Sequence, residues 1–182
     1  MSARKIRFAK PEDAGRIAEI YAPYVEKTPV SFEYTPPDAD EMRRRIIDVT
    51  REYPWLILEE DGNVQGYAYA HRYGERAAFR WSCEWSIYLD EGFRGRGGGR
   101  ALYEELGRLC TRMGCAAAYV LVAVPNPESI GFHERMGFSL VAVEKAVGYK
   151  LGAWRDLAIL ERRLRPLPAP PAAFRPIGSL DR

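Results

Sequence analysis

The fold is decided by one stretch of sequence, Arg94-Gly95-Arg96-Gly97-Gly98-Gly99-Arg100, which lies between an apolar strand pattern ending at Leu89 and a helical pattern running to about Met113. Glycines let a backbone approach a phosphate closely, and the first N–H groups of a helix point in one direction with partial positive charge. The three arginines add countercharge. The stretch therefore predicts a pyrophosphate cradle at the start of a helix.

The spacing within this stretch is informative. A nucleotide-binding P-loop needs a Lys-Ser/Thr pair after its last glycine and follows a first strand, and this stretch does neither. The pattern Arg94-x-x-Gly97-x-Gly99 instead resembles the R-x-x-G-x-G signature of the GNAT acetyltransferases. An exposed loop between a strand and a helix would tolerate the same residues, so the rest of the chain has to decide.

Length and charge limit the function classes. The chain has 182 residues, of which 47% are hydrophobic, and this is enough for one well-filled domain. With 27 basic and 25 acidic residues the net charge is +2. Such a balance predicts neither a nucleic-acid nor a membrane partner, because no field of one sign covers the molecule.

The cysteines indicate the compartment. The three cysteines, Cys83, Cys110 and Cys115, have no CxxC spacing and no second histidine nearby, which argues against a disulfide framework and against a zinc site. The N-terminal residues show no apolar signal core, and no run of about 18 apolar residues occurs. We therefore expect a cytoplasmic protein without a metal.

The predicted elements follow the order β-α-α-β-β-β-α-β-α-β-β. Strands are predicted at residues 4–9, 55–58, 64–73, 79–89, 117–124, 138–143 and 157–164. The middle strands form an antiparallel series, and the continuous apolar run 117–124 after a helix indicates a buried parallel neighbour. This order resembles the GNAT fold, an α/β fold of the α+β type. The resemblance implies a mixed, mostly antiparallel central sheet of about seven strands flanked by helices, with a parallel pair splayed around the cofactor.

The domain covers residues 1–164 in this interpretation. The tail, 165–182, is rich in proline and lacks periodicity, so we expect it to be extended or disordered.

A second motif strengthens the resemblance. The segment from Asn126 through Ser129 to Gly137-Phe138 is similar to the second GNAT signature. Four further pieces resemble the phosphinothricin and methionine sulfoximine acetyltransferases, namely Ser31-Phe32-Glu33, Phe79-Arg80-Trp81-Ser82-Cys83-Glu84, His133-Glu134 and Gly148-Tyr149-Lys150-Leu151-Gly152-x-Trp154-x-Asp156. That branch acetylates the α-amine of amino-acid-like substrates with acetyl-CoA.

Such a transfer needs a base, because an amine attacks a thioester only when it is neutral, and the leaving thiolate benefits from an acid. Glu84 is the candidate base, since a carboxylate between Cys83 and Trp85 in a strand is costly without a purpose or a partner. It could also lie on the solvent face or pair with Arg80. His133 stands where many GNAT enzymes place a tyrosine acid, although it could simply cap or pack a short helix.

The resemblance also assigns binding roles. The backbone of Ile87, Tyr88 and Leu89 would meet the pantetheine arm, and Arg94, Gly95, Arg96, Gly97, Gly98, Gly99 and Arg100 would hold the pyrophosphate. Asn126 would bond the pantetheine as well as cap its helix, and Ser129 would touch the cofactor or be a plain helix residue. For the substrate we expect Phe32 as a pocket wall and Arg76 and Arg80 as partners of a carboxylate. Alternatively, Phe32 packs in the core and the two arginines form surface ion pairs.

The sequence leaves alternatives for the function. A peptide, protein or polyamine N-acetyltransferase is one alternative, and a non-catalytic acetyl-CoA sensor is another. Relatives in the resembled branch form homodimers, so we expect a homodimer, with the segment 148–156 as a loop at the interface or at a shared pocket.

Overall fold

Seven strands form one sheet in the computed structural model, which describes residues 3–180. The order across the sheet is β1-β2-β3-β4-β5-β7-β6. Only β4 and β5 run parallel, and the other neighbours are antiparallel. The strands are β1 Arg4–Phe8, β2 Trp55–Glu60, β3 Asn63–Arg72, β4 Ser82–Leu89, β5 Ala117–Val124, β6 Ser139–Lys150 and β7 Ala153–Arg163. The predicted fold class is therefore confirmed.

Two of the four helices are capped at their first turn by the side chain of the N-cap residue. The four are α1 Ala14–Lys27, α2 Ala39–Thr50, α3 Gly98–Met113 and α4 Pro127–Arg135. The Asp38 side chain accepts a 2.8 Å hydrogen bond from the Glu41 N–H, and Asn126 accepts one of 3.1 Å from the Ser129 N–H. Each bond satisfies an N–H group that has no partner within its helix. Among the described residues, 3–180, we find no helix that is long and apolar enough to cross a membrane.

The helices cover both faces of the sheet, and strand alternation explains how. Successive side chains of β2 belong to different cores: Trp55 and Ile57 pack with α1 and α2, whereas Leu56 and Leu58 pack with α3. A strand buried on both sides reads as a continuous apolar run, as β2 does.

The parallel pair separates soon after it starts. Only Ser82, Cys83 and Glu84 of β4 pair with β5, at Ala117, Ala118 and Tyr119. β4 continues to Leu89 paired with β3 on its other side. From Trp85 onward the edge of β4 that faces β5 has no strand partner, so the predicted splayed pair is confirmed.

Two predicted boundaries were wrong. β4 begins at Ser82 rather than Phe79, because Ala77–Phe79 form a 3-10 turn. The segment 148–156, expected as a loop, is a hairpin: β6 runs to Lys150 and β7 starts at Ala153. β6 is a largely exposed edge strand with irregular register, so it lacks the buried alternation by which a strand is recognised in sequence.

The proline-rich tail packs on the domain as irregular chain as far as it is described, to Leu180. Two backbone hydrogen bonds attach it near the helix ends: Arg175 N–H donates to Met113 O at 2.7 Å, and Ile177 N–H donates to Glu52 O at 2.9 Å. The Trp81 indole donates to Ala172 O at 2.7 Å. The tail thus joins the ends of α2 and α3 to the segment that enters β4.

Candidate active site

A cleft opens where β4 and β5 separate. Its walls are Trp85–Tyr88 of β4 and Val120–Ala123 of β5, closed on one side by Tyr103 of α3 and by Asn126, Ser129 and His133 at α4. The structure therefore brings Ile87, Tyr88, Asn126, Ser129 and His133 together as predicted neighbours. The free edge of β4 offers backbone groups to an extended ligand, in the way that an added strand would use them.

Leu89 differs from its neighbours. The Tyr24 hydroxyl donates to Leu89 O at 2.6 Å and accepts from Leu89 N at 3.2 Å. The backbone of Leu89 is therefore already engaged by α1. A ligand arm that follows β4 meets Tyr24 at this residue.

The glycine-rich stretch forms the start of α3 beside the cleft. Gly97 is the N-cap in a left-handed conformation, with φ of +80°. A Cβ atom on Gly98 would lie 2.4 Å from Leu58 Cδ2, so only glycine lets the helix start approach β2 this closely. The first N–H groups of α3 have no partner within the helix. This arrangement fits a pyrophosphate.

The three arginines of the stretch have different surroundings. Arg96 forms a 2.7 Å ion pair with the buried carboxylate of Glu60, which also pairs with Arg4. Arg94 lies over the Tyr24 ring, and Arg100 pairs with Glu104 on the surface of α3. Arg96 therefore anchors the loop to β2, while the ion pairs of Arg94 with Glu91 and of Arg100 with Glu104 are exposed pairs that a phosphate could replace.

Glu84 lies at the point where the two strands part. In the register of β3 and β4 it faces His71, and the distance from His71 Nε2 to Glu84 Oε1 is 3.5 Å. Tyr69 and Ser86 form the next pair on the same face, and Tyr67 and Tyr88 the one after. The Glu84 side chain is 23% exposed, so it is accessible without being fully solvated.

The loop 28–37 is linked to this face of the sheet through Tyr21, which contacts the Tyr88 ring and forms a hydrogen bond with Ser31. The Phe32 ring packs against Gly148 of β6, where a Cβ atom would lie 2.5 Å from the ring. Lys150 is buried and its Nζ donates to Ser31 O at 2.6 Å and to Glu33 O at 2.5 Å. The β6–β7 hairpin therefore holds the backbone on both sides of Phe32, at Ser31 and at Glu33, and also contacts the Phe32 ring.

A polar cluster supports the same loop from α1 and α2. Arg45 donates to both carboxylate oxygens of Glu33, at 2.7 and 3.0 Å, and Tyr21 donates to Glu33 at 2.9 Å. The Arg45 guanidinium holds the pKa of Glu33 below its usual range. Burial raises the pKa of Tyr21 to about 12, so Tyr21 stays a hydrogen-bond donor at neutral pH. The loop is thus rigidly positioned.

His133 is buried on the cleft wall. Its Nδ1 lies 2.7 Å from Ser129 O and its Nε2 lies 3.0 Å from the Tyr103 hydroxyl. Because a carbonyl can only accept, Nδ1 carries the hydrogen and Nε2 accepts from Tyr103. Burial lowers the pKa of His133 to about 4, so the ring is neutral at neutral pH.

Arg76 and Arg80 lie in the exposed segment before β4, away from Phe32. The Arg80 guanidinium lies over the Phe174 ring of the tail, 5.3 Å from its centre. Arg76 lines a surface groove with Glu52, Arg72 and Arg80. Within residues 3–180, none of the hydrogen bonds or ion pairs joins either arginine to Glu84.

Several residues of the site were missed from the sequence. Tyr103, Arg45 and His71 belong to it through contacts between distant segments, and Glu33 and Lys150, which lie in the resembled motifs, were given no role of their own. The pairing of His71 with Glu84 follows from strand register, which the long connection 73–81 leaves undetermined in the sequence.

A parallel strand pair that parts beside a glycine-rich helix start is the arrangement that the resemblance to the acetyl-CoA-dependent acyltransferases predicted. Comparison with known proteins identifies the family. The model of the acetyltransferase (GNAT) domain matches residues 6–159, and the chain belongs to this family.

Three relatives are informative. The chain is 31% identical to phosphinothricin N-acetyltransferase of Streptomyces viridochromogenes, over 97% of this chain and 96% of the relative. It is 32% identical to L-methionine sulfoximine/L-methionine sulfone acetyltransferase of Salmonella typhimurium, over 92% of this chain and 98% of the relative. The crystal structure of a GNAT superfamily phosphinothricin acetyltransferase from Sinorhizobium meliloti, in complex with acetyl-CoA, superposes with a TM-score of 0.84 at 38% identity and covers 88% of each chain.

Proposed function

We propose that this acetyltransferase transfers the acetyl group of acetyl-CoA to the primary amine of a small amino-acid-like substrate of the phosphinothricin, methionine sulfoximine or methionine sulfone type. The observation that carries the proposal is the position of Glu84. Glu84 is the last residue of β4 that pairs with β5, and its side chain lies on the same face of the sheet as Tyr88, where Tyr21 holds the loop 28–37. An amine bound under that loop would meet a base and an acyl donor at one point.

Bound acetyl-CoA supplies a thioester carbonyl that the neutral amine attacks directly in a ternary complex. Glu84 accepts the proton of the substrate ammonium group, directly or through a water molecule. The free edge of β4 at Ile87 and Tyr88 aligns the pantetheine arm, and the start of α3 with Arg94 and Arg100 holds the pyrophosphate. Asn126 and Ser129 border the arm from α4.

His133 remains our candidate for delivering a proton to the leaving thiolate. Because burial lowers the pKa of His133 to about 4, it does not act from a standing positive charge at neutral pH. The Tyr103 hydroxyl, which also borders the cleft, shares its proton with His133 Nε2. In this arrangement His133 Nε2 carries no proton, so His133 serves as the acid only after Nε2 has taken up a proton released by the attacking amine.

Phe32 is the proposed wall of the substrate pocket, because its backbone neighbours are held by Lys150. Arg76 and Arg80 remain candidates for the substrate carboxylate on the strength of their chemistry. In this structure Arg80 contacts the Phe174 ring of the tail, and Arg76 lines the groove at Glu52.

We also propose a homodimer and a location in the reducing cytoplasm. The apolar exposed edge formed by β6 and β7 supports the first, and three free thiols agree with the second.

The experiment follows thiol release from acetyl-CoA with a panel of amines: the two methionine derivatives, phosphinothricin, polyamines and a basic peptide. We expect release with the amino-acid analogues. Glu84→Gln should lower kcat by about 10²–10⁴-fold while acetyl-CoA binding is unchanged, because it removes the base and keeps the shape. Glu26→Gln, an exposed position on α1, is the matched control.

Other outcomes are diagnostic. Release with only peptide or polyamine would contradict the substrate class and retain the enzyme. Binding of acetyl-CoA without release for every amine would indicate a sensor.

A further inference from the structure

All three cysteines of the chain lie together at one buried point, although their spacing in the sequence argued against a disulfide framework and a zinc site. Cys83 comes from the paired part of β4, Cys110 from the last turn of α3 and Cys115 from the segment before β5. Their three Sγ atoms lie within 4.8 Å of one another. Each side chain is fully buried and none forms a disulfide. The cluster has no part in the mechanism above.

The surroundings of the cluster are apolar. Tyr53, Ala70, Met113 and Ala118 belong to the same buried core as the three thiols. The Trp85 indole N–H donates to Cys83 Sγ at 3.3 Å. The Cys83 thiol lies 3.6 Å from Ala117 O. An occupant of the cluster would therefore find three sulfur ligands and an environment that disfavours net charge.

We propose that Cys83, Cys110 and Cys115 form a three-thiol site for a trivalent thiophilic metalloid, with arsenite as its probe. Trivalent arsenic takes three sulfur ligands in a pyramid, with its lone pair in the fourth direction. Arsenous acid exchanges its three hydroxyl groups for three cysteine sulfurs. Three As–O and three S–H bonds break, three As–S and three O–H bonds form, and three water molecules leave. Nothing is oxidised or reduced, and the product is neutral.

Charge and ligand number favour this occupant over zinc or Cu(I). A structural zinc site is usually closed by four ligands, and the described residues supply three at this point. Zinc bound to three thiolates would carry a net charge of −1, and Cu(I) one of −2, in an apolar core where an uncompensated charge costs several kcal/mol. The neutral three-sulfur complex avoids that cost.

Access to the site requires local opening near Gly114, which ends α3 just before Cys115. The tail covers this point, since a Cβ atom on Gly114 would lie 2.7 Å from Ala173 O. The experiment therefore has two arms. The full-length protein is incubated with arsenite in the folded state, or refolded from denaturant with arsenite present, and is then desalted.

Bound arsenic is measured by elemental mass spectrometry, and free thiols are titrated in denaturant. Because the chain has only 3 cysteines, every thiol reports on the site. We expect one arsenic per chain with all three thiols lost, in at least one arm, and a higher Tm for the loaded protein because β4, α3 and β5 become cross-linked. Each of Cys83→Ala, Cys110→Ala and Cys115→Ala should lose its arsenic on desalting.

Three results would overturn the proposal. One is no retained arsenic in either arm. Another is retention with only two thiols consumed, which would define a two-thiol site. The third is tighter retention of zinc than of arsenite in a parallel incubation, which would show that the site accepts net charge.

Discussion

At the scale of single residues, Lys150 shows how a buried cation can position a binding loop. Its side chain is 3% exposed, and its ammonium group donates to the backbone carbonyls of Ser31 and Glu33 on either side of Phe32. Burial lowers the pKa of Lys150, and the charge of Glu33 acts in the opposite direction. Lys150 therefore positions the proposed pocket wall and does not itself touch the reacting atoms.

Lys150→Met tests this positioning role. We expect a higher KM for the amine with a smaller effect on kcat, because the loop 28–37 loses its attachment while Glu84 is untouched. Two buried carbonyls lose their donor, which should lower the free energy of unfolding by about 1–3 kcal/mol. Steady-state kinetics with both substrates and denaturant unfolding provide the measurements. Lys27→Met, an exposed position at the end of α1, is the control; an unchanged KM for the amine in Lys150→Met would refute the role.

His133 couples the site to pH. Burial lowers the pKa of His133 to about 4, whereas the ordinary value in an unfolded chain is about 6.5. The unfolded state therefore takes up this proton first as the pH falls. The stability contributed by neutral His133 is complete above pH 6.5 and is lost between pH 6.5 and 4.

A His133→Gln variant should show a flatter pH dependence of stability. The shift corresponds to a loss of about 3 kcal/mol in the wild type between pH 6.5 and 4, which the variant should lack whatever its absolute stability. The measurement is urea unfolding at a series of pH values, compared as slopes. His71→Gln controls for the loss of a histidine as such. Parallel wild-type and His133→Gln profiles would mean that His133 titrates normally in the folded state.

At the scale of elements, the β6–β7 hairpin explains the motif at residues 148–156, which was recognised only by its resemblance to a branch of the family. Gly148 makes room for Phe32, Lys150 holds the loop 28–37, and Gly152 has the positive φ of the turn. Asp156 accepts from Ala146 N at 2.9 Å and pairs with Lys145, and so fixes the bulge in β6. Gly148 and Lys150 thus contact a loop more than 100 positions away, and Asp156 acts across the hairpin.

Local signals made most of the fold predictable. The cap at Asn126 and the glycine stretch before α3 each determine structure within a few residues, so α4 and α3 begin where the sequence predicts. The hairpin was missed because an exposed, bulged edge strand has no buried alternation. The contact between Lys150 and the loop 28–37 was not predicted either, since it joins segments that are more than 100 positions apart.

Gly148→Ala tests the fit between hairpin and loop. A Cβ atom at this position would lie 2.5 to 2.9 Å from three atoms of the Phe32 ring, so the ring must move. We expect weaker binding of the amine, seen as a raised KM, with acetyl-CoA affinity unchanged. Gly15→Ala is the matched control, because a Cβ atom there has no neighbour within 4 Å. If Gly148→Ala has the wild-type KM, Phe32 does not border the amine.

At the scale of the whole molecule, the sheet ends differently at its two edges. β1 at one edge is short, whereas β6 at the other has twelve residues and is exposed along most of its length. Large apolar side chains are exposed on this edge and its hairpin, namely Leu140, Val141, Val143, Val147, Tyr149, Leu151 and Trp154, the last at 66%. A long apolar edge strand left open to solvent promotes association between chains, and monomeric proteins usually protect such edges.

This edge is the expected interface of the proposed homodimer, and its position matters for catalysis because Gly148 and Lys150 of β6 hold the loop 28–37. Sedimentation of the wild type at micromolar concentration should give the mass of two chains. The double variant Val141→Lys/Val147→Lys should sediment as one chain, since it buries charge at the interface. The control is Ile47→Lys, which replaces an exposed apolar residue on α2, away from β6. It should leave the dimer intact. If the β6 variant stays dimeric, the interface lies elsewhere; if it becomes a monomer with a raised KM for the amine, association also supports the substrate pocket.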